Sequence, residues 1–361
     1  MEHSEPLSIM ASDGRRLAAD LFRTHGPVRA QVIVHGATAV PRGYYAPFAR
    51  FLASAGFETL TYDYRGVGGS VAGRARDDAA TMSDWLTLDA PAAVRALRGV
   101  NPRVPFLAVG HSFGGQIVAA LADVEAPEAI VTLGAQRGYW GGFSPAERAG
   151  IAAKLFVMLP LMTSTLGYLP KQAGLGVDMP AGIVDEWARW CRSSDYFLGD
   201  HPELRDRLAR YSGSLLALSV DDDSFAPLGN VTWLYDLHEA AEREHAHFRP
   251  ADAGVRSFGH FGFFRSQHAD TVWPEIVGHF EEALGAGSRP RQLGRAPGAP
   301  RRRVLVSERE LMREILRRLT RDVEMAIRIA LAQRLAEDTT APHDLILLLV
   351  DDTIEVARPL I

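Results

Sequence analysis

Residues 104–118 read VPFLAVGHSFGGQIV, and the rest of the chain is best read outward from them. A strand-like apolar run ends at Gly110. One serine follows at 112, and Gly114 and Gly115 open a helical pattern. G-x-S-x-G between a strand and a helix marks a turn so sharp that the serine is strained and its hydroxyl exposed. Side chains two positions to either side would collide with the neighbouring strand and helix, which accounts for Gly110 and Gly114. The Phe113 amide, at the start of the helix, points at the space beside Ser112 Oγ. There it can hold an oxyanion, assisted by the helix dipole. Ser112 is therefore the candidate nucleophile.

Around this turn, short strands alternate with helices. RAQVIV (29–34), FETLTYDY (57–64), VPFLAVG (104–110) and AIVTLG (129–134) read as strands. YAPFARFLASAG (45–56, with Gly56 as its cap), residues 84–99 and FGGQIVAALAD (113–123) read as helices. Such βα alternation argues for an α/β fold, a mostly parallel sheet covered by helices on both faces. PLSIMASDG and RRLAADLFRT precede it as an antiparallel pair around a Ser-Asp-Gly turn. The rhythm breaks at about 136–212, a stretch with Trp140, Trp187, Trp190 and several prolines, read as an inserted cap. It resumes at SLLALSV (214–220), and a last βα unit runs through VRSFGHFGFF to a helix at 270–284.

A serine hydroxyl needs a base, and the base needs an orienting acid. After this kind of turn the chain order is Ser, then Asp or Glu, then His. The acid belongs after SLLALSV, where Asp221, Asp222 and Asp223 stand in a row. Asp223, four residues before Pro227, is preferred, with Asp222 as the runner-up; the other two aspartates are expected to be solvated. The base belongs in the loop after the last strand, where His260 sits between Gly259 and Gly262. His111, inside the turn, should point away from Oγ. The second oxyanion donor is assigned to the backbone amide of Ala37, with His35 tying down that loop.

Other patterns carry less. Arg65-Gly66-Val67-Gly68-Gly69-Ser70 fails G-x-G-x-x-G at Val71, and no P-loop lysine follows. His245 and His247 have no further ligand cluster, so no metal site is assigned, and the proposed chemistry requires no cofactor. The formal net charge of −5 over 361 residues gives no electrostatic case for nucleic acid or an anionic membrane. No stretch reaches the length of a spanning helix; LFVMLPLM (155–162) is the nearest and is interrupted by Pro160. The single cysteine, Cys191, and the lack of an apolar leader fit a cytoplasmic protein.

Residues 286–303 have Gly, Pro and Arg linker composition, and 304–361 are dominated by helix formers. LTRDVEMAIRIAL (319–331) and LVDDTIEVARPLI (349–361) align at a 30-residue period, which suits helical repeats. The expected organisation is 1–285, 286–303 and a short all-helical segment at 304–361, the last offering a surface for a protein partner.

On VIVHGA, YDYRGVGGS, GHSFGG, VDDDSFAP and FGHFGFF, in that order, residues 5–285 resemble the α/β-hydrolases. The nearest resemblance is to bacterial predicted hydrolases related to serine aminopeptidases, supported by GYLPKQAGLGVDMPAGIVDEWARWC and SDYF. The resemblance implies a serine hydrolase using Ser112, His260 and Asp223 or Asp222 on a small acyl substrate. It leaves open ester, amide or peptide hydrolysis, acyl transfer, and a non-catalytic scaffold. DVEMAIRIALAQRLA, APHDLILLLVDD and IEVARPLI resemble the start of a bacterial HEAT-like helical domain of unknown function.

Overall fold

The computed structural model describes residues 4–173 and 176–285. The linker and the helical segment expected at 286–361 lie outside the described residues. The chain runs β1 (Ser4–Met10), β2 (Arg16–Phe22), β3 (Ala30–His35), α1 (Ala46–Ser54), β4 (Phe57–Tyr62), α2 (Met82–Asp84), α3 (Ala90–Val100), β5 (Phe106–His111), α4 (Phe113–Ile117) and β6 (Ala129–Leu133). It then leaves the main sheet for α5 (Pro145–Ala153), α6 (Leu159–Leu166), β7 (Tyr168–Leu169), β8 (Met179–Pro180), α7 (Ala181–Arg192) and α8 (Glu203–Arg210). It returns through β9 (Ser214–Val220), α9 (Leu228–Asp236), β10 (Glu242–Phe248) and α10 (Trp273–Ala283).

Eight strands form one sheet in the order β1-β2-β4-β3-β5-β6-β9-β10. β2 pairs antiparallel with β1 and β4; the other pairings are parallel. Every residue of β3, β4, β5 and β6 is buried, as expected for strands with helices on both faces. Side chains alternate between two apolar cores. Ile33, Phe106 and Ala108 join one with Val94 and Leu97 of α3 and Ile117 of α4. Val32, Val34, Leu107 and Val109 join the other with Phe48 and Leu52 of α1 and Ile276 and Phe280 of α10. The architecture is an α/β-hydrolase fold. Functional loops of such a sheet gather at the carboxyl ends of its parallel strands, where Ser112 and Asp223 follow β5 and β9.

Three local expectations are corrected. The last strand is β10, EREHAHF, and residues 255–264 contribute no strand. The Asp222 carboxylate accepts the amides of Phe258 and Gly259, and Gly259 has φ +63°, so this segment is shaped as a loop. The helix after Ser112 is α-helical only to Ile117 and tightens to a 3₁₀ turn over Val118–Asp123. Pro160 does not interrupt the 155–162 run either. It occupies the first turn of α6, where its missing N–H is tolerated, and a π-helical turn at Lys154–Met158 joins α5 to α6. The result is one helical run, Pro145–Leu166, 22 residues long and by length and composition apolar enough to cross a membrane.

The excursion between β6 and β9 rests on the main body. Leu155, Leu159, Met162, Ile183 and Trp190 belong to the same core as Ile117. Glu186 of α7 accepts the backbone N–H and the hydroxyl of Ser83 in α2 at 2.7 and 2.8 Å.

Candidate active site

Ser112 has φ +52° and ψ −113°, a conformation that costs on the order of 1–3 kcal/mol in a non-glycine residue. Its neighbours hold it there. Its N–H donates to the Leu133 carbonyl at 2.9 Å, the Gly114 N–H to Gly36 O at 3.2 Å, and the Gly115 N–H to Ser112 O at 3.0 Å. A Cβ on Gly114 would lie 2.1 Å from His35 O, and one on Gly110 2.4 Å from Gly115 Cα. These are the collisions the glycine spacing implied. The first amides of a helix have no intrahelical partner. At α4 the amides of Gly114 and Gly115 are taken, which leaves the Phe113 N–H beside the serine as donor.

The three consecutive aspartates have three different tasks. Asp221 Oδ1 meets His247 Nε2 at 2.7 Å. Asp222 accepts from Ser257 Oγ and the amides of Phe258 and Gly259 at 2.7–2.9 Å, so it braces the loop that carries His260. Asp223 Oδ2 faces His260 Nδ1 at 2.7 Å. Asp223 Oδ1 accepts the amides of Phe225 and Ala226 at 2.9 and 3.0 Å. The Asp223 side chain has no exposed surface, and that of His260 has 5%. The expectation that two of these aspartates are merely solvated is corrected: each holds a partner. Gly134, after β6, has φ +58°, and a Cβ there would lie 3.1 Å from Asp223 Oδ2 and 3.2 Å from His260 Nδ1.

Ala37 departs from its expected role. Its amide donates to Tyr45 Oη at 2.7 Å and is not free to receive an oxyanion in this conformation. The reason lies in a buried relay. His111 Nε2 meets the His260 carbonyl at 3.0 Å, and His111 Nδ1 meets Tyr45 Oη at 3.0 Å. A carbonyl only accepts, so His111 carries its proton on Nε2 and receives the Tyr45 hydroxyl proton on Nδ1. Tyr45 Oη is then the acceptor that Ala37 needs. Burial, reinforced by His260, holds the His111 pKa well below the usual imidazole value. Burial alone lowers that of His35 to about 3, while its Nδ1 meets Tyr45's neighbour in the core, Tyr62 Oη, at 2.8 Å. The relay connects the Ala37 loop, the Ser112 turn and the His260 loop. Tyr45 was not picked out in the sequence; nothing in its spacing marks it.

The remaining patterns resolve structurally. His245 Nε2 and His247 Nδ1 both meet Ser219 Oγ, at 2.8 and 2.7 Å, and among the described residues no group of three metal-ligating side chains converges. The glycines of RGVGGS fold onto a carboxylate: a Cβ on Gly68 would lie 2.5 Å from Asp63 Oδ2. Asp63 also binds Arg42, so a negative charge stands where a phosphate cradle would need donors. Phe225, half exposed, lays its ring 5.1 Å from that of His260. Gln116 of α4 reaches Gln136 O at 2.8 Å. Neither residue was foreseen.

The family model described as serine aminopeptidase, S33, matches residues 26–247. No curated protein matches the sequence. Among solved structures the chain is similar to an esterase from Exiguobacterium antarcticum (16% identity, TM-score 0.51, 76% of this chain and 100% of that one). It is also similar to Est1E from Butyrivibrio proteoclasticus with bound ferulic acid (17%, TM-score 0.52, 77% and 99%). A third is an esterase from Pyrococcus furiosus (16%, TM-score 0.52, 78% and 91%). At these identities the likeness is one of fold.

Proposed function

The chain belongs to the serine aminopeptidase, S33, family of α/β hydrolases, and from that premise we propose that it is a serine esterase working through Ser112, His260 and Asp223. Ser112 Oγ attacks the acyl carbonyl carbon while His260 Nε2 takes the hydroxyl proton. The C–O bond to the alcohol breaks, His260 returns the proton to the departing oxygen, and the acyl group stays on Ser112. Water then attacks the acyl-enzyme with His260 again as base, releasing the acid and restoring the serine. Asp223 holds His260 in one tautomer and stabilises the imidazolium.

The Phe113 amide supplies the standing oxyanion donor. The Ala37 amide joins it only when Tyr45 Oη gives it up. A donor of this kind is worth about 3–4 kcal/mol in the transition state, so the second one matters to rate. The observation that carries the reading is the His260–Asp223 contact of 2.7 Å beside a serine held at φ +52°. No other Ser, His and Asp along the chain combine that pairing with a strained turn.

The test is labelling with a fluorophosphonate probe in wild type, Ser112→Ala and His260→Ala. Stoichiometric labelling lost in both variants supports an activated serine, and a screen of esters followed by amides separates esterase from peptidase action. A folded wild type that does not label refutes the reading.

A further inference from the structure

The helical run Pro145–Leu166 is apolar on the side that faces away from the protein. Leu155, Leu159 and Met162 point into the core, but only 22% of its most apolar stretch is buried. Ala146, Ala149, Gly150, Ala153, Val157 and Leu161 fall three or four residues apart and are exposed. Phe156, Val157 and Leu161 are 47%, 63% and 53% exposed. A helix that is hydrophobic all round is normally covered on every side, and contiguous exposed apolar surface marks an interaction face. Here the protein covers one side, and the other needs an apolar medium.

Two observations identify that medium. The first is charge. Lys154 stands exposed on the run without an ion pair among the described residues, and exposed Arg148 binds only carbonyls, those of Phe143 and Gly141. The nearby acid, Glu147, is committed to the Ser144 cap. Two copies meeting face to face would oppose these cations to one another, whereas a phospholipid surface presents phosphates to them. The second is continuity with the site. Phe156 packs on Trp140 with ring centroids 5.8 Å apart. The preceding residue, Tyr139, accepts from Asn230 of α9 through its carbonyl. At the start of α9, Leu228 is 46% exposed, and three residues before it Phe225 flanks His260. An exposed apolar rim thus runs from the helix to the candidate base.

We propose that the outer face of Pro145–Leu166 docks on a phospholipid surface and that the site takes acyl esters presented at that interface. Both ends of the run return into the fold, so the helix lies on the surface rather than crossing it. The substrate half rests on the esterase reading; the docking half does not.

The full-length chain is floated with phosphatidylcholine vesicles, with and without phosphatidylglycerol, beside the double variant Val157→Glu, Leu161→Glu. Both positions are exposed and outside the catalytic machinery. Wild type should float, more so with phosphatidylglycerol. The variant should partition at least about tenfold less, because a carboxylate drawn to an apolar interface costs more than the interval for one decade. Hydrolysis of a soluble acetate ester should be equal in both, while turnover of a vesicle-embedded ester falls by a similar factor in the variant. A wild type that stays in the aqueous fraction, or a variant that floats equally well, overturns the proposal. So does a wild-type dimer in sedimentation that the variant dissolves, which would assign the face to a second copy. Flotation lost in the variant, with neither ester cleaved by either protein, upholds the surface and sinks the esterase reading instead.

Discussion

Replacing Asp223 and Asp222 in turn by Asn separates two neighbouring carboxylates by what each one holds. In Asp223→Asn the shape is kept, and one oxygen still accepts the Phe225 and Ala226 amides. The group facing His260 Nδ1, now at 2.7 Å from an oxygen, becomes an N–H₂ donor. Two donors cannot share that contact, so the imidazole is driven to the tautomer with its proton on Nε2, where it cannot accept from Ser112. The expected loss in kcat/KM is about 10³–10⁴-fold, or roughly 4–5.5 kcal/mol of transition-state stabilisation at about 1.4 kcal/mol per decade. Asp222→Asn weakens one or two of the three bonds to Ser257, Phe258 and Gly259. That carboxylate is exposed, so water replaces what is lost, at about 1 kcal/mol of stability. Its effect on activity runs only through the placement of the His260 loop and should stay within roughly one to two decades. The assay is kcat/KM on a soluble ester with urea unfolding curves for each variant. If Asp222→Asn proves the more damaging to activity while both proteins remain folded, Asp222 is the orienting acid and the reasoning fails.

Tyr45→Phe strands the buried Ala37 N–H and His111 Nδ1, which now share its hydroxyl; the expected cost is about 2–4 kcal/mol, and an unchanged urea midpoint would show that the relay carries no stability. Low pH should destabilise the fold. Burial lowers the pKa of His35 to about 3 and of His238 to about 4, and lowers that of His111 as well. The unfolded chain therefore binds more protons than the folded one below the ordinary imidazole value, and stability present above that value is lost as pH falls, at about 2 kcal/mol per histidine by roughly pH 5. Urea midpoints that stay flat over that interval contradict this. Gly114→Ala would set a Cβ 2.1 Å from His35 O and should cost about 3 kcal/mol or more. Gly26→Ala, with nothing within 4 Å, should be near neutral, and equal melting of the two would refute the steric account.

What the sequence by itself determined is what depends on near neighbours. The βα alternation, the parallel sheet and the glycines around Ser112 were readable because a sharp turn excludes Cβ atoms within a few residues of itself. The order of Ser112, the aspartates and His260 was readable because strand order confines each to a known loop. β10 was not recognised as the last strand, since an edge strand is half solvated and EREHAHF carries no apolar alternation. The choice among Asp221, Asp222 and Asp223 needed the tertiary structure: three identical side chains in one turn differ only in which distant group they meet. The same holds for Ala37, whose amide is claimed by a tyrosine on the adjoining segment. It holds also for Pro145–Leu166, whose residues show that it is apolar but not which side the fold leaves uncovered. Hydrogen bonds and burial join residues through space, and the spacing along a chain carries no record of those distances.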